Sequence, residues 1–257
     1  MSKYAYYARS IITLLTRFER PGQILGIFLG RAGALPAEVR LRREGWRFRV
    51  REAMDVWVIK ETCVDGDYVR ETALGADWRV VDIGAGLGDF AVYAAAHCPA
   101  GEVHAYEPLA DSFDLLEHNL ALNSVSNVSA FRQAVGPAGW VRPSGRESVP
   151  AVSTAFAAAN QEDGVEALTL AQVLDRLPGG RCDFLKIDCE GCEYELLLGS
   201  APETLARVQR ISAETHELGE GRTADDLAAF LSANGFCVGR RPNPVHDHLG
   251  FLYAERK

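Results

Sequence analysis

The chain has 257 residues, 47% of them hydrophobic, which is ample for one α/β core with additions and demands no second globular domain. Its formal net charge of -8 argues against a general nucleic-acid binder, whose affinity comes largely from neutralising phosphates. The six cysteines, Cys63, Cys98, Cys182, Cys189, Cys192 and Cys237, lack the spacing of a disulfide framework and are expected as reduced thiols of a cytoplasmic protein.

Residues 1 to about 34 read as helical. Tyr4, Tyr6, Tyr7, Ile11, Ile12, Leu14, Leu15 and Phe18 give an apolar face interrupted by Arg9, Arg17 and Arg20, too charged to span a bilayer, and no small-residue cleavage site follows it. Such a face is expected to dock on the domain or to pair with a second copy as a homodimer; membrane-surface contact is the lesser reading. From Val39 to Arg51 apolar and basic residues largely alternate on either side of Glu44-Gly45, the pattern of a hairpin with one solvated face. Its six arginines, Arg40, Arg42, Arg43, Arg47, Arg49 and Arg51, could touch an anionic substrate, but a solvated face explains them more simply. Asp55 to Leu74 follows a helical pattern. Residues 1–55 are therefore taken as an extension and 56–257 as the main domain.

Arg79 to Ala94 reads as a buried strand, a glycine turn and the start of a helix, the grammar of a nucleotide-cofactor site. Gly84, Gly86 and Gly88 do not complete the dinucleotide pattern, because Asp89 stands where its third glycine belongs. Asp82 at the strand's mouth would repel a pyrophosphate and attract an ammonium or sulfonium. S-adenosylmethionine carries both cations and no phosphate, and its carboxylate could meet the free N–H groups at the helix start. Glu102 to Tyr106 is a second strand, ending at Glu107, whose carboxylate can accept from both ribose hydroxyls, with Tyr106 and Pro108 flanking the adenine.

Asp111 to Asn123 is an amphipathic helix with Phe113, Leu116, Leu120 and Leu122 available for burial, and a third strand lies near Val128–Ala134, with Gln133 and Ala134 as candidate adenine contacts. Residues 136–164 are rich in Gly, Pro, Ser and Ala, which suggests a flexible cover or short hairpin beside the substrate. Val165–Leu170 is a brief strand, and Thr169 caps a helix ending near Leu177.

Cys182 to Leu198 is another buried strand turning into a helix, with Asp188, Glu190 and Glu193 at the edge where open α/β sheets hold ligands. Asp188 can hold the cofactor ammonium or the acceptor hydroxyl and Glu190 can orient the acceptor, whereas Glu193 reads as a favourable charge in a first helical turn. Lys186 inside the strand is expected to pair with Asp188 or Glu214. Cys189-Glu-Gly-Cys192 reads as two small residues filling a turn, a redox or zinc role being the lesser alternative. The strand Val208 to His216 brings Glu214 and His216 to the same edge and face, where His216 can take a proton from an acceptor hydroxyl. A helix from Thr223 to Asn234 and strands near 236–239 and 249–254 close the sheet, with His246 and His248 in the turn between those strands.

Val81-Asp-Ile-Gly-Ala-Gly-Leu-Gly88, Tyr106-Glu-Pro108, Leu185-Lys-Ile-Asp-Cys-Glu-Gly-Cys-Glu193 and Ala213-Glu-Thr-His216 together resemble the FkbM family of S-adenosylmethionine-dependent methyltransferases. The resemblance covers about Val58 to Ala254; Gly86 departs from the family's frequent Asn. It implies a Rossmann-like, seven-stranded, mostly parallel sheet of the class I methyltransferase type behind an N-terminal helical and hairpin extension. It also implies O-methylation of hydroxyls on natural products, sugars or glycolipids. Carried over by position, Asp82, Gly84, Glu107 and, through its backbone alone, Gly86 would bind the cofactor, to which the reading of the residues adds Ala85, Gly88, Pro108, Gln133, Ala134 and Asp188; Asp188, Glu190, Glu214 and His216 would form the acceptor end. No bound metal is expected, a divalent ion on Asp188, Glu190 and Glu214 being the alternative. The rival functions are a nicotinamide-dependent oxidoreductase, disfavoured by Asp82 and the incomplete glycine pattern, and a non-catalytic cofactor-binding protein.

Overall fold

The structure is a computed structural model that describes residues 3–142, 157–158, 164–219 and 221–257. The first helical stretch is two helices, α1 (Lys3–Arg17) and α2 (Pro21–Phe28). Pro21 has no N–H to continue the preceding helix and opens α2, and the chain bends at Arg20, which takes a left-handed φ of 54. Leu14, Phe18, Ile24 and Ile27 are buried, which docks the extension on the domain, while Tyr4, Ile11, Ile12 and Leu29 remain exposed. Strands β1 (Ala37–Arg40) and β2 (Arg47–Val50) form the expected antiparallel hairpin, with Val39 opposite Phe48 and both side chains buried. Its arginines find local partners: Arg47 reaches Glu38 at 2.8 Å and Arg40 reaches Glu19 at 3.6 Å. Helix α3 (Ala53–Ile59) runs into a π-helical turn, Lys60–Asp65, that stops at Gly66. The helix expected to reach Leu74 is thus shorter, and Tyr68 belongs to the loop beyond it.

The remaining elements are β3 (Arg79–Ile83), α4 (Asp89–His97), β4 (Glu102–Tyr106), α5 (Ala110–Leu122), β5 (Val128–Phe131), β6 (Ala134–Val135), β7 (Gly139–Arg142), β8 (Ala157–Ala158), β9 (Val165–Leu168), α6 (Leu170–Asp175), β10 (Phe184–Ile187), α7 (Cys192–Leu198), α8 (Pro202–Leu205), β11 (Arg210–His216), α9 (Ala224–Ala233), β12 (Phe236–Pro242) and β13 (Leu249–Arg256). Seven of the strands form one sheet in the order β12-β13-β11-β10-β3-β4-β5, in which β13 alone runs against its neighbours. This is the Rossmann-like, mostly parallel class I methyltransferase sheet that the sequence implied. Strands β6, β9, β7 and β8 make a second, small sheet. The expected cover over 136–164 is described only where it forms β7 and β8 and at Gly164; residues 143–156 and 159–163 lie outside the described residues.

The order explains where a ligand can sit. The chain leaves β3 toward β4 and β5, then returns to start β10 on β3's other side, so the carboxyl ends of β3 and β10 diverge into a crevice. Buried side chains fix that crevice from both faces. Val173, Leu174, Leu197, Leu227 and Leu231 pack on one face of the sheet, and Phe18, Phe48, Leu87, Ala91 and Leu116 pack together in a second cluster that includes the extension. Each such side chain contributes about 1.5–3 kcal/mol, so the extension is anchored by several residues and not by one contact. Among the described residues no helix is long and apolar enough to cross a membrane.

Candidate active site

The glycine loop joins β3 to α4, and each glycine in it answers a different constraint. A Cβ on Gly84 would fall 1.8 Å from the Asp188 carbonyl oxygen, and one on Gly88 would fall 2.7 Å from Leu116 Cδ1. These two positions let β3 approach β10 and α4 approach α5. Gly86, at φ +53, has nothing within 4 Å of its missing Cβ, so the loop opens toward the crevice there. The Gly86 N–H donates to Glu107 Oε2 at 2.9 Å, and the Leu109 N–H donates to Glu107 Oε1 at 2.9 Å. Glu107 therefore braces the loop from the end of β4.

Several cofactor positions read from the sequence are placed differently. Ala85 is buried, and its N–H, like that of Gly84, donates to the Tyr106 carbonyl at 3.0 Å. Tyr106, expected beside the adenine, is fully buried and stacks on Phe131 at 4.9 Å, because strand alternation turns its ring into the core. Pro108 is half-buried at the crevice. Gln133 is half-buried and engaged by Glu166 and by Arg176, the latter at 2.6 Å, while Ala134 is buried in β6.

Asp82 needs a larger correction. Its carboxylate has 0% exposure and lies 2.9 Å from Lys186 Nζ, its direct neighbour across the parallel β3–β10 register. A carboxylate sealed from solvent and already facing an ammonium cannot also receive the cofactor's cation. Lys186 has the partner that was expected of it, but the main one is Asp82; Asp188 stands farther off at 4.0 Å, and the Gly84 carbonyl accepts from Lys186 at 2.8 Å. Burial opposes the lysine's charge, but Asp82, Asp188 and Asp89 outweigh it and raise its pKa. The start of α4, expected to receive a carboxylate, carries the buried Asp89, whose carboxyl burial raises to about 6 against the pull of Lys186 and Thr62.

At the mouth of β10 Asp188 is one-quarter exposed and accepts a hydrogen bond of 2.6 Å from the Tyr68 hydroxyl. Burial would raise Asp188, but Lys186, Tyr68 and His216 outweigh it and hold the carboxyl below its usual range. Glu214 on β11 goes the other way: burial, then the negative charge of Asp188, push it well above the carboxylate range. The two neighbouring acids therefore titrate in opposite directions, Asp188 downward and Glu214 upward.

His216 at the end of β11 is the centre of a second cluster. Its Nδ1 lies 3.0 Å from Glu193 Oε1, which also accepts from the His216 backbone N–H at 3.0 Å, and Glu193 Oε2 accepts from the Gly191 N–H at 2.9 Å. Glu193 is fully buried, so it is no mere charge at a helix start; it fixes the imidazole's orientation. The other ring nitrogen, Nε2, stands 3.3 Å from Glu190 Oε2, whose side chain is 75% exposed at the rim. Burial disfavours the imidazolium, yet Glu190 and Glu193 outweigh it and push His216 up to about 11. The structure thus brings Asp188, Glu190, Glu214 and His216 to one edge as expected and adds Tyr68 and Glu193. Sequence distance hid Tyr68; the signal for Glu193 was its place among the buried Cys192, Tyr194, Leu196 and Leu197 of α7, with Glu195 exposed on the other side. The exposed His246 and His248 lie 5.6 Å apart in the β12–β13 turn. Among the described residues no group of three or more His, Cys, Asp or Glu side chains is arranged to hold a metal ion.

The residues fit S-adenosylmethionine. Nothing lies within 4 Å of a Cβ built on Gly86, so a ligand can approach the loop there, and the Glu107 carboxylate beside it is of a type that accepts from ribose hydroxyls. Gly86, Gly88, Glu107 and Pro108 would hold that end, and the ionised Asp188 would face the amino-acid end. The thiols are another correction: Cys189 and Cys192 form a disulfide, because Gly191, at φ 110 just before α7, folds the turn back and sets their Cα atoms 5.4 Å apart. The other four cysteines are free.

A methyltransferase FkbM domain model matches residues 82–238. The AMB antimetabolite synthetase AmbE of Pseudomonas aeruginosa is 29% identical over 74% of this chain, and the match spans 11% of that protein's length. Methyltransferase sdnD of Sordaria araneosa is also 29% identical, over 69% of this chain and 81% of its own. Among solved structures, the precorrin-6y C5,15-methyltransferase of Geobacter metallireducens superposes with a TM-score of 0.46 at 16% identity, covering 84% of this chain and 97% of that one.

Proposed function

This chain belongs to the FkbM methyltransferase family, which is S-adenosylmethionine-dependent, and from that premise we propose that it methylates a hydroxyl oxygen of a small molecule or glycan, with His216 as proton acceptor. The observation that carries the reading is the mounting of His216: Nδ1 tied to the buried Glu193, and Nε2 turned to the rim, where it meets the exposed Glu190. An acceptor hydroxyl that displaces the Glu190 carboxylate from Nε2 meets a nitrogen whose far side is already hydrogen-bonded. The imidazolium then loses one of the two carboxylates that hold its charge and its pKa falls; the Nε2 proton leaves with the displaced Glu190 carboxylate or to solvent, and the bared nitrogen can accept the hydroxyl's proton.

The cofactor supplies an electrophilic methyl group on a sulfonium, so the chain's own task is chiefly alignment. Gly84 and Gly88 fix the loop's shape, Glu107 braces it, and Tyr68 orients Asp188 at the crevice. Effective molarities on the order of 10⁵ M or more come from such positioning, and a general base adds about 10²–10⁴-fold. In this reading Asp188 and Glu214 hydrogen-bond an acceptor's neighbouring hydroxyls, which their shared position at the mouths of β10 and β11 supports.

The test is a panel of hydroxylated acceptors incubated with labelled methyl donor, with wild type beside His216→Ala. The expected result is labelled product whose rate falls by about 10²–10⁴-fold in the variant while calorimetric affinity for S-adenosylhomocysteine is kept. Equal loss of both would assign His216 to structure, and labelled product bearing N-methyl or C-methyl groups alone would replace the O-methyl reading.

A further inference from the structure

The sequence between the two acidic clusters, Asp188-Cys-Glu-Gly-Cys-Glu193, closes on itself through Cys189 and Cys192. Every residue of that loop bears on the site. Asp188 precedes it, Glu193 follows it, and Glu190 within it reaches Nε2 of His216. Glu190 is at φ 56 and Gly191 at φ 110, two consecutive residues in a region that a glutamate rarely adopts. A cross-link between the residues on either side narrows the conformations open to this pair and holds the Glu190 carboxylate near the imidazole. In that state both ring nitrogens face carboxylates, so the imidazole has no vacant nitrogen for an acceptor's proton.

We propose that Cys189 and Cys192 are a reversible dithiol–disulfide couple, and that reduction releases the Glu190 turn, uncovers His216 Nε2 and turns methyl transfer on. The proposal rests on the methyltransferase reading for its consequence. The reductant is a small or protein dithiol. Its thiolate attacks the Sγ of Cys189, the less buried of the two residues, forming a mixed disulfide and expelling the Cys192 thiolate; Cys192 is 1% exposed. The reductant's second thiolate then attacks its own sulfur in the mixed disulfide, expelling the Cys189 thiolate. Two electrons pass to the chain, two protons complete the thiols, and the reductant leaves as a disulfide. Glu190 can now return to negative φ, while Glu193 keeps its hold on Nδ1 from within α7.

The test uses the full chain, purified without reductant. Iodoacetamide in denaturant should label four cysteines before dithiothreitol treatment and six after it, since Cys63, Cys98, Cys182 and Cys237 are the free ones. NMR titration of the His216 imidazole, assigned by its loss in His216→Asn, should show a midpoint at least two pH units lower in the reduced chain. The double variant Cys189→Ser/Cys192→Ser should titrate like the reduced chain and ignore dithiothreitol. Six labelled cysteines without reductant, an unmoved midpoint on reduction, or a midpoint that moves equally in the double variant would each overturn the switch. Calorimetry with S-adenosylhomocysteine separates the two readings: no heat in either redox state sinks the methyltransferase assignment, whereas heat in both with an unmoved midpoint sinks the switch alone.

Discussion

Replacing Glu193 by glutamine keeps the volume of a fully buried side chain and removes its charge. In the native chain its two oxygens accept from the Gly191 N–H, the His216 N–H and His216 Nδ1 at 2.9, 3.0 and 3.0 Å. An amide has one oxygen, so if that oxygen serves His216, the amide NH₂ confronts the Gly191 N–H. A buried donor left without an acceptor costs about 1–3 kcal/mol at any pH. The second loss depends on pH. His216 is raised from 6.5 to about 11 by Glu190 and Glu193 against burial, and Glu193 acts through both a hydrogen bond and its buried charge, whereas water screens the exposed Glu190. If the variant loses about two units of that elevation, it loses about 3 kcal/mol more, at roughly 1.36 kcal/mol per unit. A histidine raised on folding contributes stability fully below its unfolded pKa of 6.5, and that contribution fades as pH rises toward 11. The deficit of Glu193→Gln should therefore be largest, about 4–6 kcal/mol, near pH 6 and should shrink to the pH-independent part, about 1–3 kcal/mol, by pH 11. Urea unfolding at pH 6, 8 and 10, with NMR titration of His216, reads both parts. A deficit constant across that range, or an unmoved His216 midpoint, refutes the assignment of Glu193 as the group that holds the imidazolium.

Gly84→Ala should lower stability by several kcal/mol, since its Cβ meets a carbonyl oxygen at 1.8 Å, while Gly86→Ala should cost only about 1–2 kcal/mol of left-handed strain and instead weaken cofactor binding; a normal melting temperature for Gly84→Ala would refute the contrast. Glu107→Gln should reduce S-adenosylhomocysteine affinity about tenfold or more by calorimetry, and unchanged affinity would remove the carboxylate from the ribose site. Lys186→Met leaves Asp82 buried and unpaired and should destabilise by about 3–5 kcal/mol, with Asp82→Asn in the same chain recovering part of it; no recovery would mean the lysine's packing mattered more than its charge. In a thermal-shift comparison S-adenosylhomocysteine should stabilise the chain and NADH should not; stabilisation by NADH alone would revive the oxidoreductase reading.

The mostly parallel sheet came from the family resemblance, while the sequence alone determined the strand–glycine–helix unit at Arg79–Ala94, the acidic end of β4 at Glu107 and the convergence of Asp188, Glu190, Glu214 and His216. Each of these follows from local rules: a strand's alternation, a glycine's freedom and the tendency of open sheets to bind at their carboxyl edge. What it could not determine were pairings between groups far apart in the chain. Asp82 and Lys186 are separated by a hundred residues yet become neighbours once β3 and β10 pair, and that pairing turned an expected cofactor contact into a buried ion pair. Tyr68 meets Asp188, and Glu193 meets His216, for the same reason. The charge a carboxylate presents to a ligand depends on which partner burial forces upon it, and only the packed sheet selects that partner.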